Sequence, residues 1–459
     1  MTKIKCGLEI HGYVNVENKT KLFCNCSIDE NAKPNTNICP ICTAMPGSKP
    51  MLANKEAVDK IIAIALMLGC KVNKKMLFQR KHYSWPDLPA GYQKTISGSY
   101  SNPVGVNGKF LGIKIADVHL EEDPARWDPV TGEVDYNRSG TPLVEIVTEP
   151  DFESTNQLRD WLKSLLTTLN YIKAINKNAG VKADTNVSIE PNFNRVEVKN
   201  VNSFSNIVKA AEYEILRQEE SLKEGKKIEQ ETRAFDEKNN KTVFMRSKEQ
   251  AADYMFIPEP DLPVIKIDDK YIERIRKTLP EKPDEKIKRL TREYKIKKED
   301  AFVLCSDIVL SELFEKVTKK VSAEIAARWL RFELLRVLNY HKKELEEVKL
   351  DEKNLIELLL LVENKKITEP TAKKLIEKLV EKPFDVKKYV KQEKLESISD
   401  TDELEQICKD VIKNNQKVVD DYKNGRKEAL NYLVGQVMRT TKGKASPKEL
   451  NELFKKLID

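Results

Sequence analysis

The N-terminal part of the chain contains short segments in which apolar and polar residues alternate. Four segments are predicted to be strands: residues 4–10, 111–122, 181–189 and 194–201. In the first segment, Leu8 and Ile10 alternate with Glu9 and His11, so one face is apolar and the other is polar. A period of two is typical of a strand with one buried face. The pattern therefore predicts a sizeable sheet.

Two other segments of this part carry apolar residues three or four positions apart. One stripe runs through residues 158–169 and the other through residues 204–215. This spacing places the apolar side chains along one side of a helix. Together, the strands and the two amphipathic helices predict an α+β domain.

Glycine and proline are concentrated in the same part of the chain. Residues 1–285 contain 13 of the 16 glycines and 17 of the 20 prolines, and the remainder contains three of each. Because both residues interrupt helices, the first part is predicted to be rich in turns and strands, and the second to be mostly helical. Pro280 and Pro283 mark the predicted junction.

The end of the chain carries clear helix-boundary signals. An apolar stripe through residues 430–438 predicts a helix, and Gly443 is suited to end it in the left-handed conformation. Ser446 supplies an N-cap for the next helix, Pro447 its first position, and Glu449 the glutamate of a capping box. A last helix is therefore predicted to begin at Pro447.

Length and composition favour a soluble protein of more than one domain. The chain has 459 residues, of which 33% are charged. Its longest apolar run, near residues 61–68, is far shorter than the roughly 20 residues that span a bilayer. No basic and apolar leader is apparent. We therefore expect a cytoplasmic protein, and neither a secreted nor a membrane protein.

The net charge of +7 is unevenly distributed. Residues 1–285 contain 41 basic and 41 acidic side chains, and residues 286–459 contain 39 and 32. The whole excess therefore lies in the helical part. A basic part beside a neutral one favours a polyanionic partner.

Four of the eight cysteines form two close pairs. They are Cys24, Cys26, Cys39 and Cys42. Two pairs of soft thiolates, twelve residues apart, match a tetrahedral zinc site, which we expect to be structural because no open coordination position is evident. An iron–sulfur cluster and four unconnected core cysteines are the alternatives. The remaining cysteines are predicted to be ordinary buried thiols: Cys6, Cys70, Cys305 and Cys408.

The predicted strands also carry closely spaced carboxylates and basic residues. These are Glu9 and His11 on the first strand, residues 119–123 on the second, Asp184 on the third, and Glu197 and Lys199 on the fourth. Carboxylates at this density repel one another unless a cation neutralises them. Oxygen ligands with an occasional imidazole suit magnesium, which in turn implies a phosphate substrate. The alternative is a set of solvated strand faces.

Several well-known catalytic motifs are absent from the sequence. It contains no GxxxxGK[ST] phosphate loop, no GxSxG elbow, no SxxK and no HExxH. With only four histidines, there is little room for a relay between a nucleophile and a histidine. Any nucleotide must therefore be bound without a P-loop.

Ten short motifs follow one another along nearly the whole chain. They are GLEIH at 7–11, RKHYSWPDLP at 80–89, HLEED at 119–123, NRSGTPLVEIV at 137–147, EPD at 149–151, ADTNVS at 183–188, EVKNVNS at 197–203, QETR at 230–233, GQVM at 435–438 and TKGKA at 441–445. In these motifs and in their order, the chain resembles the B subunits of the glutamine-dependent tRNA amidotransferases.

The resemblance implies three domains. They are an N-terminal cradle with an extended, mostly antiparallel sheet at 1–285, an all-α domain at 286–402, and a small helical tail that grips tRNA at 403–459. A larger paralogue of this family carries an inserted domain for which this chain has no room.

The resemblance also implies a reaction in two steps. ATP phosphorylates the side-chain carboxylate of a glutamate or aspartate mischarged on tRNA(Gln) or tRNA(Asn). Ammonia from a separate amidase, the A subunit, then displaces the phosphate. The implied assembly is a heterotrimer with this amidase and a small C subunit. The alternative is a non-catalytic, zinc-containing scaffold that docks tRNA.

The family pattern assigns expected roles to individual residues. The implied magnesium ligands are Glu9, His11, Glu122 and Glu197. The implied catalytic neighbours are Glu121, Glu145, Asp184 and Lys199. The implied tRNA contacts are Arg439, Lys442, Lys444 and Lys448. The four cysteines match the zinc-bearing members of the family, and because other members lack them, the zinc is expected to be structural.

Overall fold

The computed structural model describes residues 2–29, 31–176, 180–247, 254–397, 401–441 and 443–458. The chain divides into two compact units, Met1–Pro283 and Asp284–Asp459. The first combines a large sheet with helices and the second is helical, so the predicted α+β class is confirmed. Among the described residues, no helix is both long and apolar enough to cross a membrane.

The N-terminal unit contains sixteen strands in its described residues. They are β1 (Ile4–Tyr13), β2 (Lys71–Val72), β3 (Lys75–Met76), β4 (Gln79–His82), β5 (Tyr92–Thr95), β6 (Gly105–Phe110), β7 (Ile113–Glu122), β8 (Arg126–Trp127), β9 (Val134–Asp135), β10 (Pro142–Thr148), β11 (Val181–Ile189), β12 (Val196–Asn202), β13 (Glu231–Asp236), β14 (Lys241–Ser247), β15 (Met255–Pro258) and β16 (Ile265–Lys266).

Twelve of these strands form one sheet with β1 near its centre. The order is β14-β13-β12-β11-β1-β10-β7-β5-β4-β15, with β6 joining β7 and β2. The pair β12–β13 is parallel, whereas β1 is antiparallel to both of its neighbours, β10 and β11. The sheet is therefore mixed but mostly antiparallel, and strands distant in sequence meet at its centre.

Helices cover the apolar face of this sheet. The helices of the N-terminal unit are α1 (Lys55–Met67), α2 (Thr155–Tyr171), α3 (Phe204–Lys223) and α4 (Asp269–Thr278). Helix α1 packs on β6 and β7, α3 packs on β11 and β12, and α2 packs against α3. Leu8 and Ile10 of β1 are almost fully buried in the resulting core. Because side chains alternate along a strand, Glu9 and His11 project from the opposite face.

The C-terminal unit is built from helices in its described residues. They are α5 (Pro283–Tyr294), α6 (Lys298–Leu304), α7 (Ile308–Val317), α8 (Ala323–Arg328), a π-helical turn (Trp329–Leu334), α9 (Leu335–His341), a 3₁₀ turn (Leu345–Glu347), α10 (Glu352–Glu363), α11 (Glu369–Glu381), α12 (Val386–Gln392), α13 (Thr401–Asn414), α14 (Gln416–Lys423), α15 (Ala429–Thr440) and α16 (Pro447–Ile458). One apolar core gathers residues between 290 and 390, and a second gathers residues between 404 and 458.

The predicted elements lie close to the observed ones. All four predicted strands are present, and β11 has the predicted limits of 181 and 189. Gly443 has a φ of 83°, and α16 begins at Pro447, as predicted. The Oγ of Ser446 accepts a hydrogen bond from the backbone N–H of Glu449 at 3.5 Å. Local patterning therefore specifies most of these boundaries.

Candidate functional site

A row of polar side chains crosses the face of the sheet opposite the helices. Its strand register brings together residues that are far apart in sequence. The directly paired positions are Glu197 with Asn186, Asp184 with Glu9, His11 with Glu145, and Glu145 with His119. Directly opposed side chains on adjacent strands lie about 5 Å apart at Cβ. The row therefore concentrates charge across β12, β11, β1, β10 and β7.

The first group in this row surrounds His11. Its Nε2 lies 3.4 Å from an oxygen of Glu145 and 3.8 Å from one of Glu121. His119 approaches the same Glu145 oxygen at 2.9 Å, without hydrogen-bond alignment, while its Nδ1 lies 2.7 Å from Asp117. Ligand atoms of His11, Glu121 and Glu145 all lie within 4.8 Å of one another. One cation can therefore contact all three.

Burial and charge shift the pKa values of this group in opposite directions. Burial disfavours the charged form of His11, but the hydrogen bond and charge of Glu145 prevail and raise its pKa to about 9. Burial would raise the pKa of Glu145, yet His119 and His11 hold it well below its usual range. Burial and the charge of Glu145 raise the pKa of Glu121. The imidazoles of His11 and His119 are thus the groups that offset the charge of the Glu145 carboxylate.

The second group consists of Glu9, Asp184 and Glu197. Their oxygens also lie within 4.8 Å of one another. Lys199 lies between two of them, with its Nζ 2.8 Å from Asp184 and 2.9 Å from Glu197. Asn186 donates to Glu9 at 3.1 Å. Burial, followed by the charges of Glu145 and Asp184, raises the pKa of Glu9. An all-oxygen group with a lysine counter-ion fits a hard cation such as magnesium.

Glu122 lies outside both groups. Side chains alternate along β7, so Glu121 shares the face of His119 while Glu122 projects to the other side. The Glu122 carboxylate accepts hydrogen bonds from the backbone N–H of Lys94 at 2.9 Å and from its Nζ at 2.7 Å. Of the four implied magnesium ligands, the structure brings Glu9 and Glu197 together, places His11 in the neighbouring group, and leaves Glu122 paired with Lys94.

The four-cysteine cluster lies in the loops that follow β1. All four sulfurs are within 4.8 Å of one another, and Cys42 Sγ lies 4.0 Å from Cys26 Sγ and 3.9 Å from Cys39 Sγ. Zinc–sulfur bonds of about 2.3 Å in a tetrahedron hold sulfurs about 3.8 Å apart, so the cluster fits one such ion. The backbone N–H of Cys39 also donates to Cys42 Sγ at 3.2 Å. The two cysteine pairs therefore come together in one cluster, as predicted.

The other four cysteines are buried thiols, as predicted. Burial raises the pKa of Cys6 and of Cys70 to about 12 and that of Cys408 to about 11. A thiol that stays protonated is a poor nucleophile and a poor ligand. These residues therefore belong to the core and not to a site.

A cavity of about 580 Å³ opens where β1 ends, beside the polar row. Tyr13 follows His11 by two residues on the same face, and its hydroxyl donates to Asp123 at 2.9 Å. Arg138 Nε lies 2.9 Å from the same Asp123 oxygen. Lys19 and Arg126 add positive charge to the wall of the cavity. Asp29 and Asp135 also line the cavity, so its wall carries charges of both signs.

Two residues that contact predicted site residues are not themselves predicted from the sequence. His119, by contrast, belongs to the predicted segment 119–123 and shares the period of Glu121. Lys94 and Lys21 gave no sequence signal, because their carboxylate and thiol partners lie 28 and 21 residues away. Such partners are defined by sheet register and loop packing, which local periodicity does not encode.

The implied tRNA contacts lie near the last two helices. Arg439 belongs to α15 and is exposed, Lys448 belongs to α16 and is exposed, and Lys444 lies between the helices and is half-buried. Lys442 lies outside the described residues. The three described side chains therefore cluster around one helix–helix turn.

Two family models match the chain. Residues 4–273 match the GatB/GatE catalytic domain, and residues 312–458 match the GatB domain. The first match contains both polar groups and the four cysteines. The second contains the described tail residues.

Curated proteins that share one name are similar over their whole length. The B subunit of the aspartyl/glutamyl-tRNA(Asn/Gln) amidotransferase of Methanocaldococcus jannaschii is 47% identical over 473 residues, covering 100% of this chain and 98% of the relative. That of Methanococcus maripaludis strain C5 is 46% identical, covering 99% and 98%. That of Methanothermobacter thermautotrophicus is 44% identical, covering 99% and 100%. The chain therefore belongs to the family of amidotransferase B subunits with a GatB/GatE catalytic domain.

Proposed function

We propose that the chain is the B subunit of a glutamine-dependent tRNA amidotransferase and activates a carboxylate with ATP. Its substrate is a glutamate or aspartate mischarged on tRNA(Gln) or tRNA(Asn). The observation that carries this proposal is the pair of neighbouring groups, His11–Glu121–Glu145 and Glu9–Asp184–Glu197, on one face of the sheet. A strand face that is only solvated would not need six ligand-type side chains gathered into two compact groups.

The chemistry needs activation because a carboxylate is a poor acylating agent. In the first step, an oxygen of the substrate carboxylate attacks the γ-phosphorus of ATP, the bond to the β-phosphate oxygen breaks, and ADP leaves. In the second step, ammonia attacks the acyl carbon, the carbon–oxygen bond to phosphate breaks, and the nitrogen loses a proton to give the amide. Glutamine hydrolysis in the A subunit supplies the ammonia, and a small C subunit completes the proposed assembly.

Magnesium is the proposed metal of the polar row. Glu9, Asp184 and Glu197 would hold it through oxygen, and His11 is the nearest imidazole. When bound, magnesium neutralises charge on the phosphates and orients them for in-line transfer. Lys199 supplies a fixed positive charge at the same place, because Asp184 and Glu197 keep its pKa above the usual lysine value against the effect of burial. Its ammonium, which contacts Asp184 and Glu197, would hold a phosphate oxygen beside these carboxylates.

Zinc is the proposed occupant of the four cysteines, with a structural role. Zinc bound by four thiolates supplies folding free energy and offers no open position for substrate. Metal analysis of the purified protein tests this, with about one zinc per chain expected. Iron accompanied by visible absorbance would support the iron–sulfur alternative instead.

The decisive experiment uses the complex reconstituted with the A and C subunits. ADP release is measured with Glu-tRNA(Gln), with Asp-tRNA(Asn), with the uncharged tRNAs and without tRNA. Release stimulated by a mischarged tRNA supports the proposal, and the two charged substrates separate glutamate from aspartate specificity. A complex that binds mischarged tRNA but releases no ADP would instead be the tRNA-docking scaffold.

A further inference from the structure

A lysine is almost completely buried against the four-cysteine cluster. Only 1% of Lys21 is exposed. Its Nζ donates to Cys42 Sγ at 3.3 Å and to the backbone carbonyl of Tyr136 at 3.1 Å. Lysine is rarely buried to this extent unless its charge is compensated. The groups that contact Lys21 must therefore compensate its buried charge.

The charge of a metal–thiolate site explains the lysine. A divalent ion bound by four thiolates carries a net charge of about −2, which is costly next to the apolar core. Two of the four ligands, Cys24 and Cys42, are buried. An ammonium group in contact with Cys42 halves that net charge and stabilises the thiolate form. Partners of this kind, one shell beyond the ligands, typically change metal affinity by about 10- to 100-fold.

The same lysine touches the loop that leads into β10. This loop, residues 136–141, makes two further contacts, one with the cluster and one with the residue that follows Lys21. Ser139 Oγ donates to the carbonyl of Cys42 at 2.9 Å, and the Leu22 N–H donates to the carbonyl of Gly140 at 2.7 Å. Gly140 has a φ of 83°, a conformation that other residues adopt only with strain.

The loop in turn shapes the cavity beside the polar row. Asn137, Arg138 and Thr141 belong to the cavity wall, and Arg138 pairs with Asp123. The Gly140 N–H donates to the Asp123 carbonyl at 2.9 Å, and the Asp123 N–H donates to the Thr141 carbonyl at 2.8 Å. A continuous set of hydrogen bonds thus runs from Cys42 through the loop to the end of β7.

We propose that Lys21 is a positioning residue that couples the metal at the four cysteines to the 136–141 loop. Its ammonium stabilises the metal–thiolate site on one side and fixes the Tyr136 carbonyl on the other. Loss of the metal therefore loosens the loop and the cavity wall that the loop forms. Through this coupling, the structural metal affects the shape of the candidate site although it takes no part in the reaction.

Metal retention in single variants tests the first half of the proposal. Lys21→Met keeps the length and the apolar stem of the side chain but removes the donor. We expect a colorimetric chelator to remove zinc from this variant faster than from the wild type, because losing the ammonium should lower zinc affinity about 10- to 100-fold. Lys33→Met, at an exposed lysine in the same loop region, is the matched control and should release zinc at the wild-type rate. Equal release by the wild type and Lys21→Met would overturn the proposal.

Hydrogen exchange in the wild-type chain tests the second half of the proposal, the coupling of the metal to the 136–141 loop. This test does not require the Lys21→Met variant to fold. Removing zinc should increase amide exchange at residues 136–141, while amides in the core of α2 stay protected. If chelation exposes the cysteines to alkylation but leaves exchange in the loop unchanged, the coupling is refuted.

An activity measurement adds a third result, which rests on the proposed function. In the zinc-loaded complex, Lys21→Met should mainly raise the KM for mischarged tRNA or ATP, and Lys21→Arg should restore it in part. If the wild-type complex releases no ADP, the proposed function fails, while the two zinc experiments still decide the role of Lys21.

Discussion

His11 is the residue at which the two polar groups of the sheet meet. It follows Glu9 by two positions on β1 and is paired with Glu145 on β10. Its side chain is therefore held by strand geometry and by a partly buried ion pair, so the proposed binding of a phosphate here would require little reorganisation. Such pre-organised groups act mainly on the transition state.

Replacing this imidazole should therefore affect the rate more than binding. His11→Ala is expected to slow tRNA-dependent ADP release on the order of 100-fold or more while changing tRNA affinity little. His341→Ala, which removes a histidine of the helical unit that lies near Glu381, is the control and should retain normal turnover. Near-normal turnover of His11→Ala would mean that the polar row is a solvated strand face.

A second residue-scale prediction concerns Cys39. Cys39→Ser removes one of four thiolates and also changes the turn whose N–H donates to Cys42. Because metal binding contributes to folding free energy, zinc content and thermal stability should fall together. Cys305→Ser, at a buried cysteine of the helical unit, should leave zinc content unchanged even if it lowers stability. A Cys39→Ser protein with a full complement of zinc would exclude this residue as a ligand.

Among the secondary-structure elements, the ones with strong local patterns were predictable. Alternation located β1, β7, β11 and β12, and apolar stripes located α2 and α3. Their neighbours in the sheet were not predictable from periodicity, because Glu9 and Asp184 are paired across a long stretch of chain. The resemblance to known subunits supplied most of the expected site residues. It assigned Glu122 to the magnesium ligands and Glu121 to their neighbours, whereas the structure places Glu121 in the row and pairs Glu122 with Lys94.

Helix α3 is joined to two strands through one buried carboxylate. Glu214 is 0% exposed, lies 2.6 Å from Arg217 Nη2, and accepts hydrogen bonds from Gln218 and Thr242, each at 2.9 Å. Arg233 of β13 lies 3.6 Å away. The carboxylate therefore links the helix to β13 and β14 by charge as well as by packing.

Removing this carboxylate should destabilise the N-terminal unit strongly. Glu214→Ala leaves Arg217 and Arg233 with Glu231 as their remaining carboxylate partner and leaves the Gln218 and Thr242 donors without their acceptor, and losses of this type cost about 1–3 kcal/mol. Glu220→Ala, at an exposed position of the same helix, should change stability by less than about 0.5 kcal/mol. Urea unfolding of the two variants tests this, and equal midpoints would show that the buried carboxylate contributes no net stability.

At the scale of the whole molecule, the basic excess and the last apolar core coincide in the tail. Residues 422–459 carry nine basic and four acidic side chains. The core of residues 404–458 is separate from the core of residues 290–390. We propose that this tail, predicted to span 403–459, contacts tRNA phosphates without distinguishing bases.

Deleting residues 403–459 should raise the KM for mischarged tRNA and flatten the salt dependence of binding. Each lost phosphate contact removes roughly one unit of slope. The glutaminase reaction of the A subunit should be less affected. Arg439→Glu with Lys448→Glu keeps the helices and should reproduce part of the effect. Unchanged affinity and slope in both proteins would show that the tail does not bind tRNA.

The central position of β1 also has a consequence for how the protein is made. Glu9 and Asp184 are directly paired, yet 175 residues separate them. At about 5–20 residues per second, the ribosome needs about 10–35 s between adding one and adding the other. During this interval, the strand that will carry His11 has no partner on its β11 side and exposes an edge able to join other chains. A nascent chain of this family should therefore depend on chaperones until β11 has emerged.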